Sequence, residues 1–221
     1  MADSSALILD THPKPEVFIC MLHGLGASGY DFETLPEEFN FPPALKIRFF
    51  FPHAPSLKVE INGNFLMPAW YNMQAKDPWN NPDQKGIENS KQYITHLLKK
   101  QYAEGFTPQK TILAGFSQGG AMALSLFLDS PKEYLGIVAL STYLPQFAFL
   151  TNQPFPKDSS PIFMAHGQFD PVIPFEIGYN HAQFLLKKGA KLQFENYPMG
   201  HSLCTEEIQA LRKFCLQLWQ V

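Results

Sequence analysis

The stretch T-I-L-A-G-F-S-Q-G-G-A-M-A-L, residues 111–124, places one serine among glycines between two apolar runs. The run before it has the composition of a buried strand, and residues 117–128 are apolar nearly all round, as in a buried helix. Gly115 and Gly119 flank Ser117 in the pattern G-x-S-x-G, which is typical of a nucleophile on a sharp strand-to-helix turn. The pattern also arises by chance, so the rest of the chain has to supply what a nucleophile needs.

Strand and helix patterns alternate along the chain. Six almost wholly apolar runs predict strands that are buried on both faces of a parallel sheet: 17–22, 45–51, 110–115, 135–140, 161–166 and 192–197. Amphipathic or buried helices are predicted between them at 84–104, 117–128, 175–188 and 205–219. This alternation predicts an α/β fold, a mostly parallel doubly wound sheet with helices on both faces and no large cap domain. The run A-L-I-L near the start could add an edge strand.

Composition limits the class of protein and its partners. With 221 residues, of which 45% are apolar and 17% charged, we expect a single domain over residues 1–221. The net charge is −3 and the basic residues are scattered, so we expect no nucleic-acid partner. The chain shows neither a signal-peptide pattern nor an apolar run of about 18 residues. Its three cysteines lack metal-ligand spacing, so we expect no metal. Because their number is odd and a signal-peptide pattern is missing, we expect a cytoplasmic location.

One segment, 57–73, does not fit the alternation. It is too long and too apolar for a simple connection, and Asn62-Gly63 within it is a hairpin signal. We interpret its side chains as a flexible apolar surface for substrate. The alternative is that these side chains only pack a long loop onto the body. The candidate substrate-binding residues are Phe65, Leu66, Met67, Trp70 and Met73.

A serine hydroxyl needs a base to take its proton. Of seven histidines, His201 is the best candidate, because it lies between the last predicted strand and the last predicted helix. That position is at the same end of the sheet as Ser117. His166 closes a strand and is interpreted as a packed core residue, whereas His96 and His181 fall in predicted helices as surface or interface residues.

The base needs an acid that fixes its tautomer. Asp170 follows the penultimate strand, in H-G-Q-F-D-P (166–171), again at that end of the sheet. The order Ser117, Asp170, His201 is the order of α/β-hydrolases. Asp158 is the rival acid, but it precedes the strand and therefore falls at the wrong end.

An oxyanion would form during attack and would need backbone N–H donors. One donor is expected from Gln118, the residue after the nucleophile, and the other from H-G-L-G-A-S-G, residues 23–29, where Leu25 is best placed. A phosphate cradle is the alternative interpretation of this loop. The loop lacks the Lys-Ser/Thr ending of a P-loop, which disfavours that alternative.

Together these residues resemble the acyl-protein thioesterase group of α/β-hydrolases, also called the phospholipase/carboxylesterase family. The pieces that carry the resemblance span nearly the whole chain: L-H-G-L-G-A-S-G (22–29), F-P-H-A-P (51–55), M-P-A-W-Y (67–71), G-F-S-Q-G-G-A (115–121), L-S-T-Y-L-P (140–145), H-G-Q-F-D-P-V-I-P (166–174) and Y-P-M-G-H-S (197–202). The resemblance implies the triad Ser117, Asp170 and His201, with Leu25 and Gln118 as oxyanion donors. It also implies that residues 57–73 are a flap-like excursion over an acyl-binding groove.

The expected function is hydrolysis of carboxylic esters or thioesters of apolar acyl groups through an acyl-enzyme, without a cofactor. The family includes carboxylesterases, acyl-protein thioesterases and lysophospholipases, and the motifs do not separate them. Expected substrates are small esters or acylated lipids and proteins. Transient membrane contact and a homodimer stay open, because an exposed apolar flap can serve either. A non-catalytic acyl-binding protein and a serine peptidase are the alternatives.

Overall fold

The computed structural model describes residues 5–79, 82–145 and 154–221. Its strands are β1 Ala6–Asp10, β2 Val17–Leu22, β3 Ile47–Pro52, β4 Ser56–Val59, β5 Phe65–Pro68, β6 Thr111–Phe116, β7 Gly136–Leu140, β8 Ile162–Gly167 and β9 Leu192–Tyr197. Its α-helices are α1 Leu35–Phe39, α2 Gln84–Ala103, α3 Gln118–Asp129, α4 Phe175–Lys187 and α5 Thr205–Trp219. Short 3₁₀ turns cover Gly29–Phe32, Glu60–Asn62 and Pro108–Lys110.

Seven strands form the central sheet in the order β1-β3-β2-β6-β7-β8-β9. The pairs from β3 to β9 are parallel, and β1 is antiparallel to β3, with Leu7 opposite Phe51. The predicted doubly wound sheet and its extra edge strand are therefore confirmed. Each predicted strand lies within two residues of an observed one, because only a strand with two covered faces carries so many consecutive apolar residues.

Helices cover both faces of this sheet. Alternate residues of β2 belong to opposite cores: Phe18, Cys20 and Leu22 pack on one side with α2, α3 and α4. Ile19 and Met21 pack on the other side with α1 and α5. The sheet thus shares its strands between two apolar layers, and the carboxyl ends of β2, β6, β8 and β9 meet at one edge.

The segment 57–73 includes a hairpin, as its sequence predicts. β4 and β5 form a separate antiparallel pair, with Val59 opposite Phe65. The loop between these partners, residues 60–64, is longer than the two-residue turn that Asn-Gly favours. Gly63 and Asn64 take the left-handed conformation there, with φ of 69° and 61°. Within the described residues, no helix has the length and apolar character needed to span a bilayer.

Candidate active site

Ser117 lies on a strained turn between β6 and α3. Its φ of 54° and ψ of −121° are rare for a residue other than glycine. A Cβ on Gly115 would lie 2.2 Å from the backbone of Gly119, and one on Gly119 would lie 2.0 Å from the carbonyl oxygen of Leu22. The flanking glycines are therefore required by close backbone packing, as the sequence pattern predicts.

Hydrogen bonds hold this turn from both sides. The amide of Ser117 donates to the carbonyl of Leu140 at 2.9 Å, and the hydroxyl of Thr142 donates to the carbonyl of Ser117 at 2.6 Å. Because its backbone groups are fixed in this way, the serine can hold an unfavourable φ. The α-helix that starts at the next residue directs the positive end of its dipole toward the turn.

Asp170 and His201 form a direct pair. Nδ1 of His201 lies 2.7 Å from Oδ2 of Asp170, whose side chain is fully buried. The other carboxylate oxygen accepts hydrogen bonds from the amides of Val172 and Ile173 at 2.8 and 2.9 Å. Since a carboxylate oxygen accepts, a neutral His201 imidazole in this pair carries its proton on Nδ1 and has Nε2 as an acceptor.

One cavity of about 640 Å³ contains both Ser117 and His201 in its lining. The ring of Phe116, the residue before the serine, lies 4.8 Å from the ring of His201. Among the described residues the hydroxyl of Ser117 makes no hydrogen bond, so the serine–imidazole bond is open in this state. Such bonds often tighten only when substrate is bound, and the open geometry is compatible with a nucleophile–base pair.

The two expected oxyanion donors lie next to this serine. Gln118 is the first residue of α3, so its N–H has no acceptor within the helix. Leu25 lines the cavity, and none of the hydrogen bonds among the described residues uses its amide. A Cβ on Gly24 would lie 3.3 Å from Cβ of Ser117, which shows how closely this loop passes the turn.

The candidate substrate-binding residues are not all brought together. Met73 lines the cavity, but Trp70 is buried outside the lining and its indole N–H donates to the carbonyl of His23 at 2.8 Å. Phe65 and Leu66 are 72% and 70% exposed on β5, outside the cavity lining as well, and Met67 is half-buried. These residues were predicted from their apolar side chains alone, and apolar character does not determine whether a side chain faces the cavity.

Other residues supply the apolar wall of the cavity, and the sequence analysis did not single them out. They are Trp79, Tyr143, Val172, Ile173 and Leu203. Four of them had a signal in the sequence, because they follow strands at the edge where the triad candidates gather. Tyr143 follows β7, Val172 and Ile173 follow β8, and Leu203 follows β9. Trp79 lies before α2 and had no such signal.

Two other histidines, His166 and His181, and the rival acid have structural partners. His166 is buried, as predicted, and its Nε2 donates to the carbonyl of Ile173 at 2.9 Å. Of the two positions predicted for His181, surface or interface, the surface position is wrong, because the residue is 3% exposed and its Nδ1 accepts from the amide of Leu144 at 2.9 Å. Burial lowers the pKa of His181 to about 4. Asp158 pairs with Lys132 at 2.6 Å on the surface.

Comparison with known proteins agrees with this architecture. A model of the phospholipase/carboxylesterase family matches residues 4–219. Acyl-protein thioesterase 1 of Neurospora crassa is 36% identical over 97% of this chain and 91% of its own length. Acyl-protein thioesterase 1 of Kluyveromyces lactis is also 36% identical, over 89% of each chain.

Solved structures give the same result at the level of the fold. SOBER1 of Arabidopsis thaliana has a TM-score of 0.81 and 27% identity, with 92% of this chain and 99% of that chain covered. Acyl-protein thioesterase 2 of Zea mays has a TM-score of 0.79 at 23% identity, with 96% and 98% covered, which bears on the fold alone. By sequence and by fold, this chain belongs to the phospholipase/carboxylesterase family of α/β-hydrolases and is an ester hydrolase.

Proposed function

We propose that this enzyme hydrolyses esters or thioesters of apolar acyl groups, with Ser117 as the nucleophile, His201 as the base and Asp170 as the orienting acid. One observation carries the proposal: His201, which is paired with the buried Asp170, and the strained Ser117 line the same cavity. The names of the relatives, acyl-protein thioesterases, support thioesters as well as oxygen esters among the substrates.

The proposed reaction has two acyl-transfer steps. Nε2 of His201 takes the proton of Ser117 as the hydroxyl attacks the acyl carbonyl, while Asp170 stabilises the imidazolium through Nδ1. The amides of Leu25 and Gln118 donate to the oxyanion. The imidazolium then protonates the leaving alcohol or thiol. Water repeats the sequence on the acyl-enzyme and releases the carboxylic acid.

Labelling tests the nucleophile directly. A fluorophosphonate should label the wild-type protein, and Ser117→Ala should abolish both labelling and ester turnover. The matched control is Ser130→Ala, at the other end of α3, which should label like the wild type. Wild-type protein that resists labelling would favour a non-catalytic acyl-binding protein, and labelled Ser117→Ala would assign the nucleophile elsewhere.

A panel of acyl esters tests the substrate class. Because the wall of the cavity contributes Met73, Trp79 and Ile173, each two methylenes buried there should raise kcat/KM by roughly tenfold. Charged acyl groups of equal length should react more slowly. Equal rates for charged and apolar chains would contradict the apolar preference, and efficient cleavage of matched amides would support the peptidase alternative. Comparing kcat/KM for oxygen esters, thioesters and lysophospholipids of the same acyl length ranks the preference for the leaving group.

The proposal includes a surface for larger substrates. Phe65 and Leu66 are exposed on the hairpin, and they support either transient membrane contact or a homodimer. Co-sedimentation with vesicles tests membrane contact, and light scattering tests the homodimer. Leu66→Asp should lose vesicle binding if the surface contacts a membrane, and should lose the dimer mass if the surface is a dimer interface. Three free cysteines support the cytoplasmic location, which fractionation of expressing cells would test.

A further inference from the structure

Residues 68–71, here called the brace, run from the end of β5 between the two loops that carry the proposed oxyanion donors. Ala69, Trp70 and Tyr71 are at most 1% exposed, although they follow the exposed Phe65 and Leu66 by only a few positions. The segment that the sequence marks as one apolar flap thus has an outer part in solvent and an inner part held in the body.

The brace holds the loop of Leu25 on both sides of that residue. The carbonyl of Pro68 accepts a hydrogen bond from the amide of Gly26 at 2.8 Å. The indole N–H of Trp70 donates to the carbonyl of His23 at 2.8 Å. These two bonds hold the residues on either side of Leu25. Neither bond uses the amide of Leu25, which is the proposed oxyanion donor.

The brace also holds the nucleophile turn, through one side chain. Oε1 of Gln118 accepts from the amide of Trp70 at 2.8 Å, and Nε2 of Gln118 donates to the carbonyl of Tyr71 at 2.8 Å. Gln118 is 1% exposed, so water does not replace these bonds. Its side-chain amide is therefore committed to the brace, while its backbone amide is the proposed oxyanion donor.

Further contacts anchor the brace to the rest of the molecule. The amide of Ala69 donates to the carbonyl of Pro55 at 3.0 Å, and the hydroxyl of Ser90 on α2 donates to the carbonyl of Trp70. The phenol of Tyr71 is hydrogen-bonded to that of Tyr143. The brace is therefore a fixed part of the fold that connects the two loops.

We propose that the brace sets the spacing between the Leu25 and Gln118 amides, and that the side chains of Gln118 and Trp70 are positioning residues for the oxyanion hole. The inference rests on the proposed function. Donors to an oxyanion act only when they are held at hydrogen-bonding distance from it, so a small displacement lowers the rate without weakening binding of the ground state.

Gln118→Met is the main test. It removes both hydrogen bonds to the brace, keeps the backbone N–H and keeps a long side chain in the same space. We expect kcat to fall by about tenfold to a hundredfold, with KM for a short ester changed by less than about threefold. The affinity for a trifluoromethyl ketone of matching chain, which forms a tetrahedral oxyanion, should fall by the same factor as kcat/KM. The affinity for the corresponding unreactive ether should not change.

Trp70→Phe is the second variant, in case Gln118→Met does not fold. It removes the N–H bond to His23 and keeps an aromatic ring in the core. The matched controls are Gln101→Met, a buried glutamine that accepts from Arg48, and Trp219→Phe, whose indole N–H has no partner among the described residues. Both controls should keep the wild-type kcat.

The outcomes separate this inference from the proposed function. If the wild type is labelled at Ser117 but neither variant changes kcat or ketone affinity, the brace has no positioning role and the inference fails alone. Equal losses for the ketone and the ether would also overturn it, since they indicate general damage to the acyl site. Ester hydrolysis that remains in the Ser117→Ala variant would instead overturn the proposed function.

Discussion

Ser117, Asp170 and His201 come from three loops that are far apart in the chain and meet at one edge of the sheet. Their order and their positions after strands were sufficient to nominate them, because the carboxyl ends of parallel strands share an edge. The hydrogen bonds within the site were not predictable in the same way. Nothing in the sequence indicates that the side chain of Gln118 bonds to the backbone of Trp70 and Tyr71, since such contacts depend on how a loop returns to the sheet.

Asp170→Asn should separate the orienting role of the acid from its structural role. The asparagine oxygen can still accept from the amides of Val172 and Ile173, which places its NH₂ group against Nδ1 of His201. The imidazole then has to carry its proton on Nε2 and cannot accept one from Ser117. We expect kcat to fall by about 10⁴-fold with little change in KM.

Steady-state kinetics on a short ester, with a circular dichroism spectrum to confirm folding, measures this effect. The rival acid provides the control, because Asp158 is paired with Lys132 on the surface and Asp158→Asn should keep the wild-type rate. A folded Asp170→Asn enzyme with more than about a tenth of the wild-type kcat would argue against the tautomer role of Asp170.

At the scale of elements, the strands were the most predictable part and the connections the least. Runs such as residues 17–22 are apolar on both faces, so length and composition fix their boundaries. The hairpin of residues 56–68 was signalled by Asn62-Gly63, but its five-residue loop was not. The five-residue helix α1 had no sequence prediction, because a single helical turn carries too little periodicity.

The contact between α3 and β2 leads to a prediction for Gly119. A methyl group there would lie 2.0 Å from the carbonyl oxygen of Leu22, a residue that is held in the sheet by its pairing with Gly115 of β6. Gly119→Ala should therefore destabilise the fold by about 3 kcal/mol or more. Gly200→Ala is the control, since its Cβ would meet its nearest atom at 3.7 Å. Urea unfolding measures both, and equal stability of the two variants would refute the packing argument.

The first turn of α5 contains a buried acid with a pH-dependent effect on stability. Glu207 is 0% exposed, and neither carboxyl oxygen has a hydrogen-bond partner among the described residues. Burial raises its pKa from 4.5 to about 8. The amide of Cys204, which lies near the carboxyl without forming a hydrogen bond, opposes this increase, and Glu195 adds a smaller one. The unfolded chain therefore loses this proton near pH 4.5 and the folded chain only near pH 8. The contribution of Glu207 to the free energy of unfolding should fall between these pH values and level off above them.

Glu207→Gln removes this titration. We expect the free energy of unfolding of the wild type, relative to the variant, to decrease from pH 5 to pH 8 and to be constant at higher pH. Urea titrations at several pH values measure the difference. Glu206→Gln changes an exposed neighbour in the same turn and should leave the slope as in the wild type. Parallel curves for wild type and Glu207→Gln would mean that the carboxyl is ionised in the fold.

At the scale of the whole molecule, the central sheet connects two apolar layers through shared strands. Alternate residues of β2, β6 and β8 belong to opposite layers, so that neither layer can lose its strands without disturbing the other. The loops that carry the three proposed triad residues follow β6, β8 and β9 of this sheet. We therefore expect the rigidity of the site and the cooperativity of unfolding to have the same physical origin. The shared strands are consistent with the prediction of a single domain, which an unfolding experiment can test.

Two buried cysteines report on the two layers separately. Cys20 is 0% exposed in the layer of α2, α3 and α4, and Cys215 is 1% exposed in the layer of α1 and α5. Burial raises the pKa of both thiols, which makes them unreactive until the surrounding layer opens. If the chain is one cooperative unit, alkylation of the two cysteines, measured by peptide mass spectrometry, should rise at the same urea concentration. The half-buried Cys204 serves as the internal control, since it should react before that transition. Two separate midpoints, one for each cysteine, would show that the layers unfold independently.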